Sequence, residues 1–523
     1  MKKVVWLALC FLASLAFLAG GAWAVDFCVY PGGVGANDLQ TALTTAAGNS
    51  VNDTIKVVMG TYTGHFSYSS AQGYHIALEG GYTPGTNCAS RVLNPANTVL
   101  DGSGSTGRVL NLYNSSGGNV MVDGFTIRNG SSTQDGGGVY ASSFSESGTA
   151  GTVTITHNII QQNSAYVHGG GVFALSQSNS ATAGQVIASD NTIQGNTVTT
   201  GSGGGISAAS FSNSGTTATV TLVNNIVTGN TAKCGGGVYA SSYSNLGTSG
   251  TAILTNNTVT NNTATSPEED GVPDGGGVWV AYGTSGTVNV YNNIIWGNTA
   301  QDGGDISFLL YSGVGVANGY NNDYTNMTGI GSWTNSGGNI DADPIFVGGG
   351  DFHLRSSSPC LDMGLNSAPG IPATDFEGDN RVIDGDSNGT ATVDMGADEV
   401  ASLGYVILHK DGAIYDSATG WLLTAPPYYP GTNYAVDLKL GQGGYVLLHR
   451  DGAVWSSSGG WTLTAPPYYP GTAYARALEL VGSNGTYVIL HKDGALYNSA
   501  TGWIVTAPPY YPGTAYAVGL EIR

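Results

Sequence analysis

Positive charge is what this chain most lacks. Fifteen lysines and arginines face 35 aspartates and glutamates, for a formal net charge of −20. Between Arg108 and Arg355 the only basic residues are Arg128 and Lys233. So acidic a surface repels a phosphate backbone, and nucleic acid is excluded as a partner. Long apolar runs are missing beyond residue 24. No later segment reaches about 18 apolar residues, so no transmembrane segment is expected in the mature chain. Cysteine is scarce, with five residues, no Cys-x-x-Cys pair and no Cys/His grouping at zinc spacing.

The one apolar run reads as a leader. Lys2 and Lys3 precede Val4 to Leu18, and Ala22-Trp23-Ala24 has the small-x-small pattern of a signal-peptidase site. Residues 1–24 are therefore expected to be a signal peptide, and Val25 the start of an exported chain, secreted or held at the cell surface. Export permits disulfides. Cys28 and Cys88 share the N-terminal block and are the expected pair. Cys234, just before a glycine triplet, is expected to be a small buried filler.

What the chain has in excess is glycine, 82 of 523 residues, without a collagen period. Together with abundant Ser, Thr and Asn it predicts tight turns and stacked strands. The glycines form a ladder. Gly-Gly-Gly-Val-Tyr-Ala at 136–141 returns, varied, at 169–174, 203–207, 235–240 and 275–280. Between the triplets lies an asparagine turn, at 157–163, 190–196, 224–230, 256–262 and 292–298. A fixed period in this range marks a solenoid. Alternation puts Val153 and Ile155 on one side of their strand. Equal units of strand and turn predict an all-β parallel β-helix with coils about 4.7–4.9 Å apart. The turn asparagines would stack into a hydrogen-bonded amide ladder. Ahead of the coils, Asn37 and Asp38 precede a stretch with Leu39, Ala42, Leu43 and Ala46 on one helical face. A short amphipathic helix there would cap the open end of the stack.

The expected organisation follows. Residues 25–110 are the N-terminal cap and first coils, 111–310 the regular coils, and 311–400 an irregular continuation. Residues 401–523 contain three repeats of about 41 residues. Tyr405–Tyr415 returns from Tyr445 and from Tyr487, and Ala-Pro-Pro-Tyr-Tyr-Pro-Gly returns at 425–431, 465–471 and 507–513. Asp-Gly between alternating runs is a hairpin signal. About four strands per unit suit a trefoil-like barrel, a propeller-like fragment or a continued solenoid.

Gly-Gly-x-Val paired with Ile-x-x-Asn resembles the repeat of the polymorphic outer-membrane protein family. Residues 292–399 resemble the choice-of-anchor Q module, carried by Asp341-Ala342-Asp343-Pro344, Ser358-Pro359-Cys360-Leu361-Asp362, Asp375-Phe376-Glu377-Gly378-Asp379-Asn380-Arg381 and Val393-Asp394-Met395-Gly396-Ala397-Asp398-Glu399. These resemblances imply a right-handed β-helix and an exported bacterial protein. They imply no particular chemistry.

Three groups of residues could carry function. The position before each glycine triplet reads Asp135, His168, Ser202, Cys234, Asp274 and Asp302, with Asp305 close by. Stacked carboxylates such as Asp274, Asp302 and Asp305 suit Ca²⁺ or glycoside hydrolysis, although an aspartate before glycine also serves as a turn starter. Asp384-Gly385-Asp386-Ser387-Asn388-Gly389 opens like a calcium loop. Met395 stands where an EF-hand needs glutamate, which leaves a solvated acidic turn or a simpler calcium turn that includes Asp379 or Asp394. The third group is aromatic: Trp421, Tyr428 and Tyr429, with Trp461, Tyr468, Tyr469, Trp503, Tyr510 and Tyr511 at equivalent positions. Such rings, repeated three times, fit core packing or multivalent glycan binding. The expected function is a non-catalytic, secreted or surface-exposed protein for adhesion, scaffolding or carbohydrate binding. The alternative is a polysaccharide lyase or glycoside hydrolase. The shortage of Arg and Lys argues against a lyase, whose base and acidic substrate both want positive charge.

Overall fold

In the computed structural model the ladder winds into coils. The structure describes residues 24–266, 274–282, 286–300, 304–310, 316–320, 322–325, 327–330, 332–386 and 388–400, then 406–416, 420–422, 432–441, 444–456, 460–462, 472–481, 486–504 and 520. The chain divides into two units, residues 1–402 and 403–523.

The first unit is a right-handed parallel β-helix with three long sheets. Sheet 1 has 11 strands, from Val25–Val29 to Ser332–Asn335; sheet 2 has nine, from Gly60–Thr63 to Asp323–Tyr324; sheet 3 has nine, from Phe66–Ser70 to Met327–Ile330. Every pairing within these sheets is parallel, each strand lying on its counterpart one coil away, as Val139 lies on Val172 and Val172 on Ile206. One coil runs through Val139–Ser145 in sheet 3, Val153–Thr156 in sheet 1, Ile159–Gln161 in sheet 2 and a two-residue strand, Ser164–Ala165. Period-two alternation turns Val139, Ala141, Val153, Ile155 and Ile160 inward. There they join a continuous core extending from Val29 to Phe308.

Two asparagine ladders run inside the corners flanking sheet 2. The first comprises Asn158, Asn191, Asn225, Asn257, Asn293, Asn322 and Asn339. In it each backbone N–H and side-chain Nδ2 donates to the Oδ1 of the next residue, at 2.9–3.2 Å. The second runs through Asn163, Asn196, Asn230, Asn262 and Asn298 with the same pattern. The glycine triplets belong to this second ladder. A Cβ on the third glycine would sit 2.6–3.0 Å from the ladder Nδ2, as at Gly138 against Asn163, Gly205 against Asn230 and Gly277 against Asn298. The two halves of the sequence motif therefore require one another.

The N-terminal end is closed as the sequence predicts. Helix Leu39–Ala46 is capped by Asp38, whose carboxylate accepts from Thr41 N at 2.8 Å, and it buries Leu39, Ala42, Leu43 and Ala46. Cys28 and Cys88 form a disulfide with their Cα atoms 5.7 Å apart. Closing that long a loop stabilises by about 4 kcal/mol in the chain-entropy account.

Residues 346–400 fold back along the coils as a strap. It docks on the corner between sheets 1 and 2, over Asn224, Asn256 and Asn292, which take left-handed φ of 52–58°. Asn224 Nδ2 donates to Thr374 O, Asn256 Nδ2 to Asp394 O, and Asn292 Oδ1 accepts from Leu365 N. In the two preceding coils the same position is His157 or Asp190.

In the second unit, strands Ala435–Gly441, Gly444–His449, Val454–Ser456 and Gly460–Thr462 form one antiparallel meander. Ala475–Val481, Thr486–His491, Leu496–Asn498 and Gly502–Ile504 form a second. Val406–Leu408, Ile414–Asp416 and Gly420–Leu422 form a three-stranded sheet. A four-stranded meander is the pattern of a propeller blade. Both four-stranded meanders straddle the sequence repeat, since the closing Tyr-Ala run of one repeat pairs with the opening run of the next. Adjacent meanders are joined by Leu478 N donating to Asp437 Oδ2 at 2.7 Å and by a Lys439–Glu479 ion pair.

Asn230→Ala should lower stability by about 3 kcal/mol, because it strands the buried Asn196 N–H and its amide. Asn245→Ala, in an exposed amide pair with Asn213, should leave the urea midpoint unchanged.

Candidate functional site

The outer face of sheet 3 carries the most distinctive surface. Five neighbouring strands build it: Val139–Ser145, Val172–Ser178, Ile206–Ser212, Val238–Ser244 and Val278–Tyr282. Strict register lines their outward residues into columns. The first column is Tyr140, Phe173, Ser207, Tyr239 and Trp279. The third is Phe144, Gln177, Phe211 and Tyr243. Between them runs a column of mostly small residues, Ser142, Leu175, Ala209, Ser241 and Ala281. Rings stack along the columns, with centroids 5.3 Å apart for Tyr140–Phe173, 5.1 Å for Tyr239–Trp279 and 5.8 Å for Phe211–Tyr243. The ridges are four residues apart on each strand, about 13 Å. The trough between them includes a groove of about 410 Å³ lined by Leu175, Phe211, Tyr239, Tyr243 and Trp279 among others. The first glycine of each triplet makes room for the first ridge. A Cβ on Gly136 would lie 2.9 Å from Tyr140 Cβ, and one on Gly235 3.1 Å from Trp279 Cβ.

The row before the triplets stacks as well. Gly136 N donates to His168 O, Gly169 N to Ser202 O, and Gly235 N to Asp274 O. Cys234 Sγ lies 3.4 Å from Asp274 Oδ1, and Ser202 N donates to His168 Nδ1 at 3.0 Å. Asp302 lies outside the described residues. Asp305 is not in this row. It occupies the third-glycine position, and its Oδ1 accepts from the N and Nδ2 of Asn298 while Oδ2 accepts from Thr325 N.

In the strap, Asp362, Asp384 and Asp386 bring carboxylate oxygens within 4.8 Å of one another. Asp362 is the member the sequence pattern did not single out; it approaches from 22 residues before Asp384 and accepts from Gly385 N and Asp386 N. Oxygen-rich and partly exposed, this cluster is of the kind that holds a hard divalent cation. Asn388 lies in the same turn, donating its N–H to Asp384 and Asp386. Asp394 does something else. It is buried, and its two oxygens accept the amides of Asp362 and Val400.

Asp394 belongs to a clasp around Arg381, which is 1% exposed. The Arg381 guanidinium donates to Asn224 Oδ1, Asp398 O and Gly396 O, and pairs with Glu399 at 3.4 Å. Burial pushes Asp394 up to about 7 and Glu399 up to about 8. Nearby, His353 is held between Asp351 and Glu377, beside a cavity of about 210 Å³. Its bonds to those two carboxylates raise it to about 9.

Of the aromatic set in the C-terminal repeats, Tyr428, Tyr429, Tyr468, Tyr469, Tyr510 and Tyr511 lie outside the described residues. Trp421, Trp461 and Trp503 fall on strands opposite Tyr415, Trp455 and Tyr497. Their side chains are not among those described.

No family model matches the chain, and no curated protein matches it. Among solved structures it is similar to a crystal structure of pectate lyase Pel9A, at 14% identity and a TM-score of 0.36, over 73% of this chain and 97% of that one.

His353, Asp394 and Glu399 all hold protons in the folded chain that the unfolded chain releases at lower pH. The carboxylates' contribution is complete below about pH 4 and is lost as pH rises through about 7 and 8. That of His353 is complete below about pH 6.5 and is lost through about 9. The melting temperature should therefore fall steadily from pH 5 to pH 9, and Glu399→Gln with His353→Gln should flatten the fall.

Proposed function

We propose that this protein is an exported, non-catalytic binding protein of the cell surface or its surroundings, with an extracellular glycan as its ligand. The observation that carries this reading is the trough on sheet 3. Aromatic ridges border a groove that Gln177, Tyr239, Ser241 and Tyr243 help line, which offers ring faces for the C–H surfaces of sugars and hydrogen-bonding groups for their hydroxyls. The five strands contain no charged residue. General acid–base chemistry needs titratable groups at the substrate, and these strands offer none but tyrosine, which favours binding over lyase or hydrolase activity there. The aromatic C-terminal repeats are a second glycan-binding candidate within the same proposal. Calcium at Asp362, Asp384 and Asp386 would brace the strap.

Affinity electrophoresis of the whole chain in glycan-loaded gels tests the reading. Tyr239→Ala with Trp279→Ala should weaken retardation by about tenfold or more, the loss of about 1.4 kcal/mol or more. Alanine at Tyr429, Tyr469 and Tyr511 together should reduce any remainder. Millimolar calcium should raise the melting temperature, and Asp362→Asn should remove that rise. A wild-type chain retarded by no glycan, under conditions where it is folded, would overturn the proposal.

A further inference from the structure

Resting on the glycan reading above, we infer that the ligand of the sheet 3 trough is an uncharged, extended polysaccharide lying parallel to the helix axis. Three features of the trough lead there.

The first is charge. A polyanion needs counter-charges, and the trough has none in its five strands. The cation at its N-terminal end, Arg108, is already engaged. Its Nε donates to Asp135 O at 2.6 Å, its Nη1 donates to Asn111 Oδ1 at 3.2 Å, and its guanidinium lies 4.2 Å from the centre of the Tyr140 ring. The chain as a whole carries −20. An acidic glycan would be repelled at long range and desolvated without compensation at contact.

The second is direction. The ridges run along the axis because the register is strict, so the open path between them is axial. The small floor residues Ser142, Ala209, Ser241 and Ala281 let a chain lie deep along that path, whereas a chain crossing it would ride over both ridges. Successive coils advance by about 4.8 Å, close to the length of one pyranose in an extended chain. Each sugar would thus face one coil's share of walls and floor, and five coils would span about 19 Å.

The third is the interruption of the ridges. Ser207 breaks the first between Phe173 and Tyr239, and Gln177 breaks the other between Phe144 and Phe211. Ser207 is itself buried and leaves room between two ring stacks, while Gln177 lines the groove and offers the hydrogen-bonding partner that equatorial sugar hydroxyls need. A column of rings that served stacking alone has no use for such gaps.

The test uses the full chain against linear neutral polymers, such as β-glucan, xylan and mannan, and anionic ones, such as polygalacturonate and alginate. Oligosaccharides from disaccharide to octasaccharide, read by calorimetry, supply the length dependence. Neutral polymers should retard the protein and anionic ones should not. Binding should be insensitive to salt. Affinity should rise by about tenfold or more with length and level off once the five coils are filled. Trp279→Ala in one ridge and Tyr243→Ser in the other should each lower it. Tyr243 is part-exposed, so its variant keeps the test open if Trp279→Ala does not fold. Preference for an anionic polymer, lost in both variants, would overturn this inference and leave the glycan reading standing. So would a disaccharide that binds as tightly as an octasaccharide. Failure to bind any glycan, or capture of a protein by the trough in place of glycan, would overturn both.

Discussion

A buried asparagine amide has to be satisfied, and in this fold the coils on either side do it: Asn158 donates to Asn191 Oδ1 one coil on and to Val122 O one coil back, and accepts from Phe125 N. Each ladder residue brings a C=O and an NH₂ into a dry corner, where an unmet group costs about 1–3 kcal/mol. The next asparagine must arrive in register, one coil on. That requirement sets the repeat length, since a single-residue slip would also turn every core valine outward. It sets the glycines too, because the third glycine of each triplet leaves no room for a Cβ against the amide. It even explains where the second ladder stops. Asp305 receives the last amide as a carboxylate, accepting without needing to donate. An asparagine there would have required another coil of the same kind.

The strap obeys the same logic with charge in place of amides. Its motif aspartates mostly receive backbone N–H groups. Asp375 Oδ1 alone accepts from Glu377, Gly378 and Asp379, and Asp394 accepts two more. Arg381 ties this set to the coils through Asn224. A carboxylate that gathers amides in a buried clasp is being used for shape, which is why so acidic a region offers so few free acids. Three groups keep ligand atoms close together all the same: Asp362 with Asp384 and Asp386, His353 with Glu377 and Asp398, and Asp375 with Glu377 and Asp379.

Much of this could be read from the residues. Period-two alternation around Val153 and Ile155 identified the inward faces, and the recurrence of Asn163, Asn196, Asn230, Asn262 and Asn298 identified one ladder. The ladder from Asn158 to Asn339 was less visible because its early members sit beside residues that vary from His157 to Asn224. Only the strap explains that variation, and contacts between residues more than 100 apart leave no periodic mark. Asp305 and Asp394 looked like ligands because type and spacing do not say whether a carboxylate faces a cation or an amide. The trough was hidden for another reason. Tyr140, Phe173, Tyr239 and Trp279 were visible as part of the Gly-Gly-Gly-Val-Tyr motif, but the partner ridge at Phe211 and Tyr243 lies in a Ser-rich stretch outside both repeat motifs. Strand Val238–Ser244 extends four residues past Ala240, and that extension creates the second column.

In a stacked solenoid the inward positions are committed to the core and the corners to the ladders, so function has room only on outward columns. Aromatic stacking there has a structural value of its own, about 0.5–1.5 kcal/mol per pair, and that value must be weighed. If stability were the whole purpose, the rings would form one unbroken column and the floor would be filled. Instead two broken ridges border a floor held to serine and alanine at most coils, and an open groove remains. On sheet 1 the equivalent outward column is Thr154, Ile187, Thr221, Ile253 and Asn289, which stacks adequately without a ring. Sheet 3 departs from that economy in one direction only, toward a surface with aromatic walls and a floor of mostly small residues. A recognition surface accounts for the departure, and coil stacking alone does not.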